Sequence, residues 1–227
     1  MVMPLDTLFS GQNRSTLMNR ALNHLRQAIL RGRLKPGDRL VESRLAREMN
    51  ISRFPIREAL RYLEKEGLAE NIPFRGSVVA QFSEQDMEEV FSLRGALEGL
   101  ALQIVTHRIS DTQLNELADI IHDMETASGL GDSLKVVDHD LRFHQTICQM
   151  TGHKKLLLFL ETLSHHIHMF LVFEKKVYDP PERYVPTHHP ILEALRKRDA
   201  DLAAARLRIH LEDAMNQIRT SLFSGQP

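Results

Sequence analysis

The sequence predicts a mainly α-helical fold, with an N-terminal winged helix-turn-helix domain over residues 1–80 and an all-α antiparallel helical bundle over residues 83–222. Within residues 42–66, ESRLAREMNISRFPIREALRYLEKE, two short segments with helical apolar spacing flank the tight turn 50–52. Every segment after residue 82 has the same helical spacing, and none alternates as a strand does. Short connections between the predicted helices indicate antiparallel neighbours.

The second of the two short segments has one apolar face and one basic face. The apolar positions share one helical stripe: Ile56, Ala59, Leu60 and Leu63. The basic positions share the opposite face: Arg53, Arg57, Arg61 and Lys65. A short helix that is buried on one side and basic on the other fits the major groove of DNA, so we expect a DNA-recognition helix. The alternative is a small helical subdomain with solvated arginines.

The flanking residues complete a winged helix-turn-helix pattern. Residues 18–31 predict a supporting helix, and the turn residues 35–38 end it. Gly67 stops the recognition helix, and residues 68–72 and 77–80 predict two paired strands. Residues 73–76 form the predicted tip of this wing, with Arg75 and Gly76 placed to contact DNA.

Charge is divided unevenly between the two predicted domains. Residues 1–80 contain 14 Lys and Arg against 8 Asp and Glu, a formal charge of +6, whereas the remainder carries −7. The basic N-terminal domain can therefore contact phosphates with release of counterions, and the acidic remainder should not bind DNA. We expect no membrane span, because no run of about 18 apolar residues occurs. The single cysteine, Cys148, excludes an internal disulfide framework and agrees with a cytoplasmic, nucleoid-associated protein.

Six helices are predicted for the bundle from apolar spacing and capping residues. They cover residues 83–107, 110–128, 133–150, 154–175, 186–198 and 199–221, with a break at 178–181.

Four inward-facing polar residues of the bundle form a candidate metal site. Asp140 and His144 are one helical turn apart, and His188 and His210 each lie within an apolar stripe of another helix. One carboxylate and three imidazoles are suitable ligands for a divalent metal. Each of these histidines could instead be a hydrogen-bonded core residue.

The chain resembles the transcription regulators of the GntR superfamily, in the branch with the FadR-type C-terminal (FCD) ligand domain. The most specific segment is Ser52-Arg53-Phe54-Pro55-Ile56-Arg57-Glu58-Ala59-Leu60, and residues 40–46, 63–68 and 75–76 also match. In the bundle the resemblance rests on residues 93–98, 140–144, 188–195 and 210–211. It covers nearly the whole chain from about residue 15.

The resemblance implies a role for each candidate residue. Arg53 and Arg57 would reach the major groove, and Arg75-Gly76 would contact the minor groove or phosphate. The Asp140, His144, His188 and His210 set would bind a divalent metal, for which zinc is our expectation and nickel or manganese are alternatives. A small organic acid would bind at the open metal positions as effector. Apart from the resemblance, Arg94 lies on the inward stripe of the first bundle helix, which makes it a candidate carboxylate partner. Such regulators bind palindromic operator DNA as homodimers. The resemblance also implies that the protein is a repressor and not an enzyme.

Two alternatives to this function remain open from the sequence. Three histidines and an aspartate could activate water in a metal-dependent hydrolase fused to a DNA-binding domain, although no separate general base is evident. The metal could also be purely structural. For Arg94, an internal salt bridge to Glu98 is as plausible as effector binding.

Overall fold

The structure is a computed structural model that describes residues 6–173 and 185–222, with side chains described for 16–173 and 185–220. It divides into two compact units, residues 1–81 and 82–227. The helices are α1 (Asp6–Leu30), α2 (Glu42–Glu48), α3 (Arg53–Lys65), α4 (Glu84–Thr106), α5 (Asp111–Gly129), α6 (Ser133–Met150), α7 (Lys154–Phe173), α8 (His189–Arg196) and α9 (Ala200–Leu222). A short 3₁₀ helix, Val185–His188, precedes α8, and the strands are β1 (Ala69–Ile72) and β2 (Gly76–Val79). The mainly helical fold with one small sheet confirms the predicted fold class.

In the first unit, α3 packs against α1, α2 and β1. Its apolar stripe is buried against the apolar side of α1, where Leu25 and Ile29 are also buried. A partly buried ion pair between Arg26 of α1 and Glu66 at the end of α3, with Nε to Oε2 at 2.9 Å, joins the two helices. Helix α1 begins earlier than the helix predicted at 18–31, because the apolar stripe that predicted it marks only the part packed on α3.

The wing, residues 69–79, is a two-stranded antiparallel hairpin in which Ala69 pairs with Val79 and Ile72 with Gly76. The chain at residues 37–40 adds hydrogen bonds on the other side of β2. Gly37 and Leu40 donate backbone N–H groups to Val79 and Ser77, and Val79 donates to Asp38, at 2.9 Å in each case. Strand β2 is therefore held on both edges, which fixes the direction in which the wing projects.

In the second unit, α4 packs against α6, α7 and α9, and α5 packs against α6 and α8. Capping boxes begin α4 and α5: the Ser83 side chain accepts the backbone N–H of Asp86, and Ser110 accepts that of Gln113. Loops of three or four residues join α4, α5, α6 and α7, and α6 packs against both α5 and α7, as antiparallel neighbours do.

The helix predicted over 186–198 is not one continuous α-helix. Its first residues lie in the 3₁₀ helix Val185–His188, and α8 follows. Pro190 lacks the N–H that would continue a regular helix through this point. The predicted break at 178–181 lies outside the described residues.

Among the described helices, α7 is long and apolar enough by length and composition to cross a membrane. No membrane span was expected from the sequence, because no run of about 18 apolar residues occurs. Its buried face, which includes Leu156, Leu160 and Phe170, belongs to the bundle core. We therefore interpret α7 as a core helix, and the absence of a membrane partner stays a prediction.

Two leucines of α7 offer a matched test of this packing. Leu156 is 2% exposed and Leu158 is 55% exposed. We expect Leu156→Ala to lower the free energy of unfolding by about 2–5 kcal/mol, because it leaves a cavity in the core. The same change at Leu158 should cost roughly 0.5 kcal/mol or less. Urea denaturation followed by circular dichroism measures both, and equal losses would contradict the assignment of the buried face.

Candidate DNA interface and metal centre

Helix α3 presents its basic face to solvent. Arg53, Arg57 and Arg61 are all exposed, whereas the opposite stripe of the helix is buried. The preceding turn is closed by Asn50 in a left-handed conformation with φ of 52°, a conformation that asparagine tolerates better than most residues. The structure thus brings the three predicted arginines together on one accessible helical face.

Arg57 is held by a carboxylate that the sequence analysis did not single out. Its Nε and Nη2 donate to Glu42 Oε1 and Oε2, each at 2.9 Å, which is a bidentate geometry. This hydrogen bond from Arg57, assisted by the charges of Arg53 and Arg61, lowers the pKa of Glu42 below its ordinary value. The Glu42 carboxylate therefore lies near all three arginines, and it fixes the guanidinium of the central one.

On α3 and at the wing, the other arginine contacts are weaker or involve the backbone. Arg61 Nη1 donates to Glu58 Oε1 at 3.0 Å, an exposed pair that contributes little to stability. At the wing, Arg39 Nη2 donates to the carbonyl of Arg75 at 3.0 Å. Gly76 has φ of 80°, a backbone conformation that favours glycine. Arg75 and Gly76 lie exposed at the wing and not on α3.

In the bundle, the four predicted metal ligands are buried together. Asp140 and His144 come from α6, His188 ends the 3₁₀ helix and His210 comes from α9. One donor atom from each residue lies within 4.8 Å of all the others. Nε2 of His188, His210 and His144 lies 3.0, 3.9 and 4.0 Å from Asp140 Oδ1. Nε2 of His144 and Nε2 of His210 are 3.1 Å apart.

The outer ring nitrogens of two of these histidines face polar groups that orient the rings. His144 Nδ1 lies 2.7 Å from Glu98 Oε2, and His210 Nδ1 lies 2.8 Å from Thr187 Oγ1. A proton on His144 Nδ1 leaves its Nε2 lone pair directed at the cluster, which is the arrangement that metal-binding histidines use. Glu98 was foreseen only as a partner of Arg94, and nothing in the sequence pattern indicated Thr187.

Arg94 is 1% exposed and makes the internal salt bridge that the sequence allowed. Its Nε donates to Glu98 Oε1 at 2.7 Å, and its Nη2 lies 3.8 Å from Asp140 Oδ2. Although burial raises the pKa of Glu98, Arg94 and His144 outweigh it and lower that pKa to about 2. The carboxylate of Glu98 is therefore ionised at neutral pH. A role for Arg94 in effector binding stays a prediction.

Burial sets the charge state of two of the imidazoles. Burial lowers the pKa of His144. Burial also lowers the pKa of His210 well below its ordinary value, and the neighbouring His188 and His144 add to this effect. For Asp140, burial alone would raise the pKa, but the hydrogen bond with His188 and the charge of Arg94 hold it below its ordinary value. Two neutral imidazoles and an ionised carboxylate are the protonation states that metal ligation requires.

These residues fit a single divalent cation. Two ligands of one zinc ion are separated by at most about 4.2 Å, twice the metal–nitrogen bond length. Four of the six distances among the three Nε2 atoms and Asp140 Oδ1 are 3.0–4.0 Å and satisfy this limit. Asp140 Oδ2 is buried and makes no hydrogen bond with any described residue. A second carboxylate oxygen without a donor is consistent with a site built for a cation.

Two family models match this chain. "Bacterial regulatory proteins, gntR family" matches residues 17–79, and the FCD domain matches residues 89–213. The chain is 26% identical over 207 residues to the gluconate operon transcriptional repressor of Bacillus licheniformis, covering 89% of this chain and 85% of the relative. It is 27% identical over 195 residues to the HTH-type transcriptional repressor RspR of Escherichia coli (strain K12), covering 86% of each.

A solved structure supports the fold. The crystal structure of a GntR transcriptional regulator from Rhodococcus sp. RHA1 matches with a TM-score of 0.80 at 23% identity, over 88% of this chain and 96% of that one. The winged helix-turn-helix and the matched domains define a DNA-binding transcription regulator, and the relatives are regulators and not enzymes. The chain belongs to the GntR family, in the FadR-type branch whose C-terminal domain is the FCD domain.

Proposed function

We propose that this regulator is a homodimeric, cytoplasmic repressor whose operator affinity is set by a small carboxylate bound at the metal cluster of its bundle. The domain of residues 1–80 binds the operator, and the domain of residues 83–222 binds the effector. The observation that carries this proposal is the convergence of three imidazole Nε2 atoms on Asp140 Oδ1 in a buried site. Both named relatives are repressors, and one of them controls a gluconate operon.

For DNA binding, the proposal assigns Arg53, Arg57 and Arg61 to the major groove and Arg75 with Gly76 to the minor groove. The exposed arginine face of α3 supports the first assignment. Glu42 orients Arg57 through two hydrogen bonds, and a pre-oriented guanidinium can donate to O6 and N7 of a guanine. Two such domains on a palindrome double the number of base contacts.

For effector binding, Asp140, His144, His188 and His210 would hold one divalent cation, with zinc expected and nickel or manganese as alternatives. When bound, this cation supplies positive charge that attracts a carboxylate in a site shielded from water. Arg94 adds a guanidinium beside Asp140, and Glu98 accepts a hydrogen bond from Arg94 while its other oxygen lies 2.7 Å from His144 Nδ1. Gluconate, like the effector we propose, is a small carboxylate.

The α4 helix provides the route from effector to DNA. It carries Arg94 and Glu98 at the cluster, and its first residue, Glu84, follows the wing after only four residues, 80–83. A shift of α4 on effector binding would therefore act on the DNA-binding domain through a short connection. Regulation requires that the effector bind the DNA-competent and DNA-incompetent states unequally.

The first prediction concerns the recognition helix. Arg57→Ala should lower specific operator affinity by roughly 1–3 kcal/mol, the value of a bidentate contact to guanine. Arg206→Ala removes an exposed arginine of the bundle and serves as the control for lost charge. The assay is fluorescence anisotropy with an operator selected from random duplexes by the wild-type protein.

A double-mutant cycle tests whether Glu42 acts through Arg57. Glu42→Gln should strengthen non-specific DNA binding, because a negative charge is lost, and lower the ratio of specific to non-specific affinity. The effect on this ratio should disappear in the Arg57→Ala background. Unchanged operator affinity in the Arg53→Ala, Arg57→Ala double variant would refute the assignment of α3 to the groove.

The second prediction concerns the metal. Purified wild-type protein should contain about one divalent ion per chain, because all four ligands meet only in the folded bundle. His188→Ala and His210→Ala should lose it, whereas His189→Ala, the exposed neighbour of His188, should keep it. Elemental analysis gives the content, and a chelator should lower the melting temperature of wild-type protein through linkage. Full metal content in His188→Ala would count against the site.

The third prediction concerns the effector. A panel of small organic acids, gluconate included, is titrated by calorimetry into metal-loaded and metal-free protein, with the uncharged amides as controls. One acid should bind only the metal-loaded form, and it should weaken operator binding by about 5- to 150-fold, the range of typical allosteric coupling. A metal-dependent acid that binds tightly and leaves operator affinity unchanged would mean that the pocket is not the switch. Chelation that destabilises the protein with no acid binding would favour a purely structural metal.

A further inference from the structure

The tip of the wing is a tight turn with an unusual residue at its third position. Residues 72–75 form the turn, in which the backbone N–H of Arg75 donates to the carbonyl of Ile72 at 3.0 Å. Pro73 occupies the second position and Phe74 the third, where φ is 63°. A turn with proline second and positive φ third normally has glycine or asparagine there, because other side chains are strained in that conformation.

The side chain of Phe74 is fully exposed. Its relative exposure of 110% is the highest among the exposed large hydrophobic residues described, and Phe159 and Phe54 follow at 60% and 56% among the phenylalanines. An aromatic ring in the left-handed region costs the fold about 1–2 kcal/mol, and a fully solvated ring returns no burial energy. The stability of the fold therefore gives no reason for phenylalanine at this position.

The wing is anchored so that the tip projects in a fixed direction. Strand β2 is hydrogen-bonded on both edges, by β1 and by residues 37–40. Ser77 Oγ donates to Glu64 of α3 at 3.0 Å, which ties the hairpin to the recognition helix. Arg39 Nη2 holds the carbonyl of Arg75 at 3.0 Å. The ring is thus presented on a supported hairpin that is bonded to the same helix as the predicted base-reading arginines.

The groups beside the ring indicate what it would contact. Arg75 follows it directly, and Arg39 is bonded to the backbone of Arg75; both side chains are exposed. An apolar ring at a tip that also carries two exposed arginines suits a polyanion that offers flat apolar surfaces, which is the chemistry of stacked bases between phosphates. Proteins that contact the minor groove use phenylalanine in this way, as a wedge that partly unstacks one base step and bends the duplex.

We propose that Phe74 is such a wedge: it enters the minor groove of the operator, separates one base step and bends the DNA. This inference rests on the proposed DNA-binding function of the domain. The energy of unstacking depends on the base step and is lowest at flexible pyrimidine–purine steps. Phe74 therefore adds sequence selectivity through the deformability of the DNA, independently of the arginine contacts in the major groove.

The test uses full-length protein and two substitutions at the tip. Phe74→Asn removes the ring and restores a residue that tolerates positive φ, whereas Phe74→Leu keeps an apolar wedge. Phe159→Asn, at another exposed phenylalanine outside the DNA-binding domain, is the matched control. Operator affinity is measured by anisotropy over a range of salt concentrations. Bending is measured by energy transfer between dyes at the two duplex ends, and unstacking by 2-aminopurine fluorescence at each step of the operator.

We expect Phe74→Asn to change the stability of the fold and the affinity for DNA in opposite directions. The melting temperature should stay the same or rise, because the strained residue is gone. Operator affinity should fall by about 5- to 150-fold, the range found when an aromatic stacked on a base is removed. Bending and 2-aminopurine fluorescence should fall with it, and the salt dependence should not change, because no charge is removed. Phe74→Leu should retain most of the bend.

Two outcomes would overturn the wedge while leaving the proposed function intact. In one, Phe74→Asn binds and bends the operator as the wild-type protein does. In the other, Phe159→Asn weakens operator binding equally, so that the effect is not specific to the tip. If wild-type protein selects no operator from random duplexes, the proposed function fails, and the wedge fails with it.

Discussion

The bundle depends on keeping charged and polar groups inside an apolar core. Asp140, Glu98 and Arg94 are all buried, and the pKa values of the two carboxyls are held below their ordinary range. Buried charges are tolerated only when they are paired and hydrogen-bonded. One guanidinium can balance one of the two carboxylates, and burial keeps His144 and His210 in the neutral form by lowering the pKa of each. A divalent cation would offset the remaining negative charge and leave one unit of positive charge, which suits the carboxylate effector proposed for this site.

Much of this arrangement was predictable because it follows helical periodicity. The buried stripe of α3 and the inward positions of His144 and His210 follow from spacing alone, and the structure brings the four predicted ligands together. The pairing of Glu42 with Arg57 was not predictable, because they are 15 positions apart and the chain between them includes a turn whose geometry decides the contact. The same holds for Thr187 and His210, which come from different elements. Local pattern thus gives each helix its inward face, but only tertiary packing decides which polar side chains meet.

The strained tip of the wing shows a second reason why sequence patterns do not predict every feature of the structure. Residues 73–76, Pro-Phe-Arg-Gly, predict a turn, and a turn is present. Gly76 has a positive φ, as glycine tolerates, but Phe74 also adopts one. A pattern based on residue preference assigns the strained position to the residue that tolerates it best. When another residue occupies it, strain appears only in the structure, and such positions occur preferentially at functional sites.

The position of Glu42 bears on how a basic domain avoids binding all DNA equally. Arginines on α3 attract phosphates of any sequence, since that attraction depends on charge and not on bases. A carboxylate among them reduces this general attraction and holds Arg57 in a fixed orientation by two hydrogen bonds. Orientation matters for bidentate recognition of a base and very little for attraction to phosphate. In the proposed complex the ion pair would therefore weaken non-specific binding more than specific binding, and this negatively charged residue on the proposed DNA-binding face would increase selectivity.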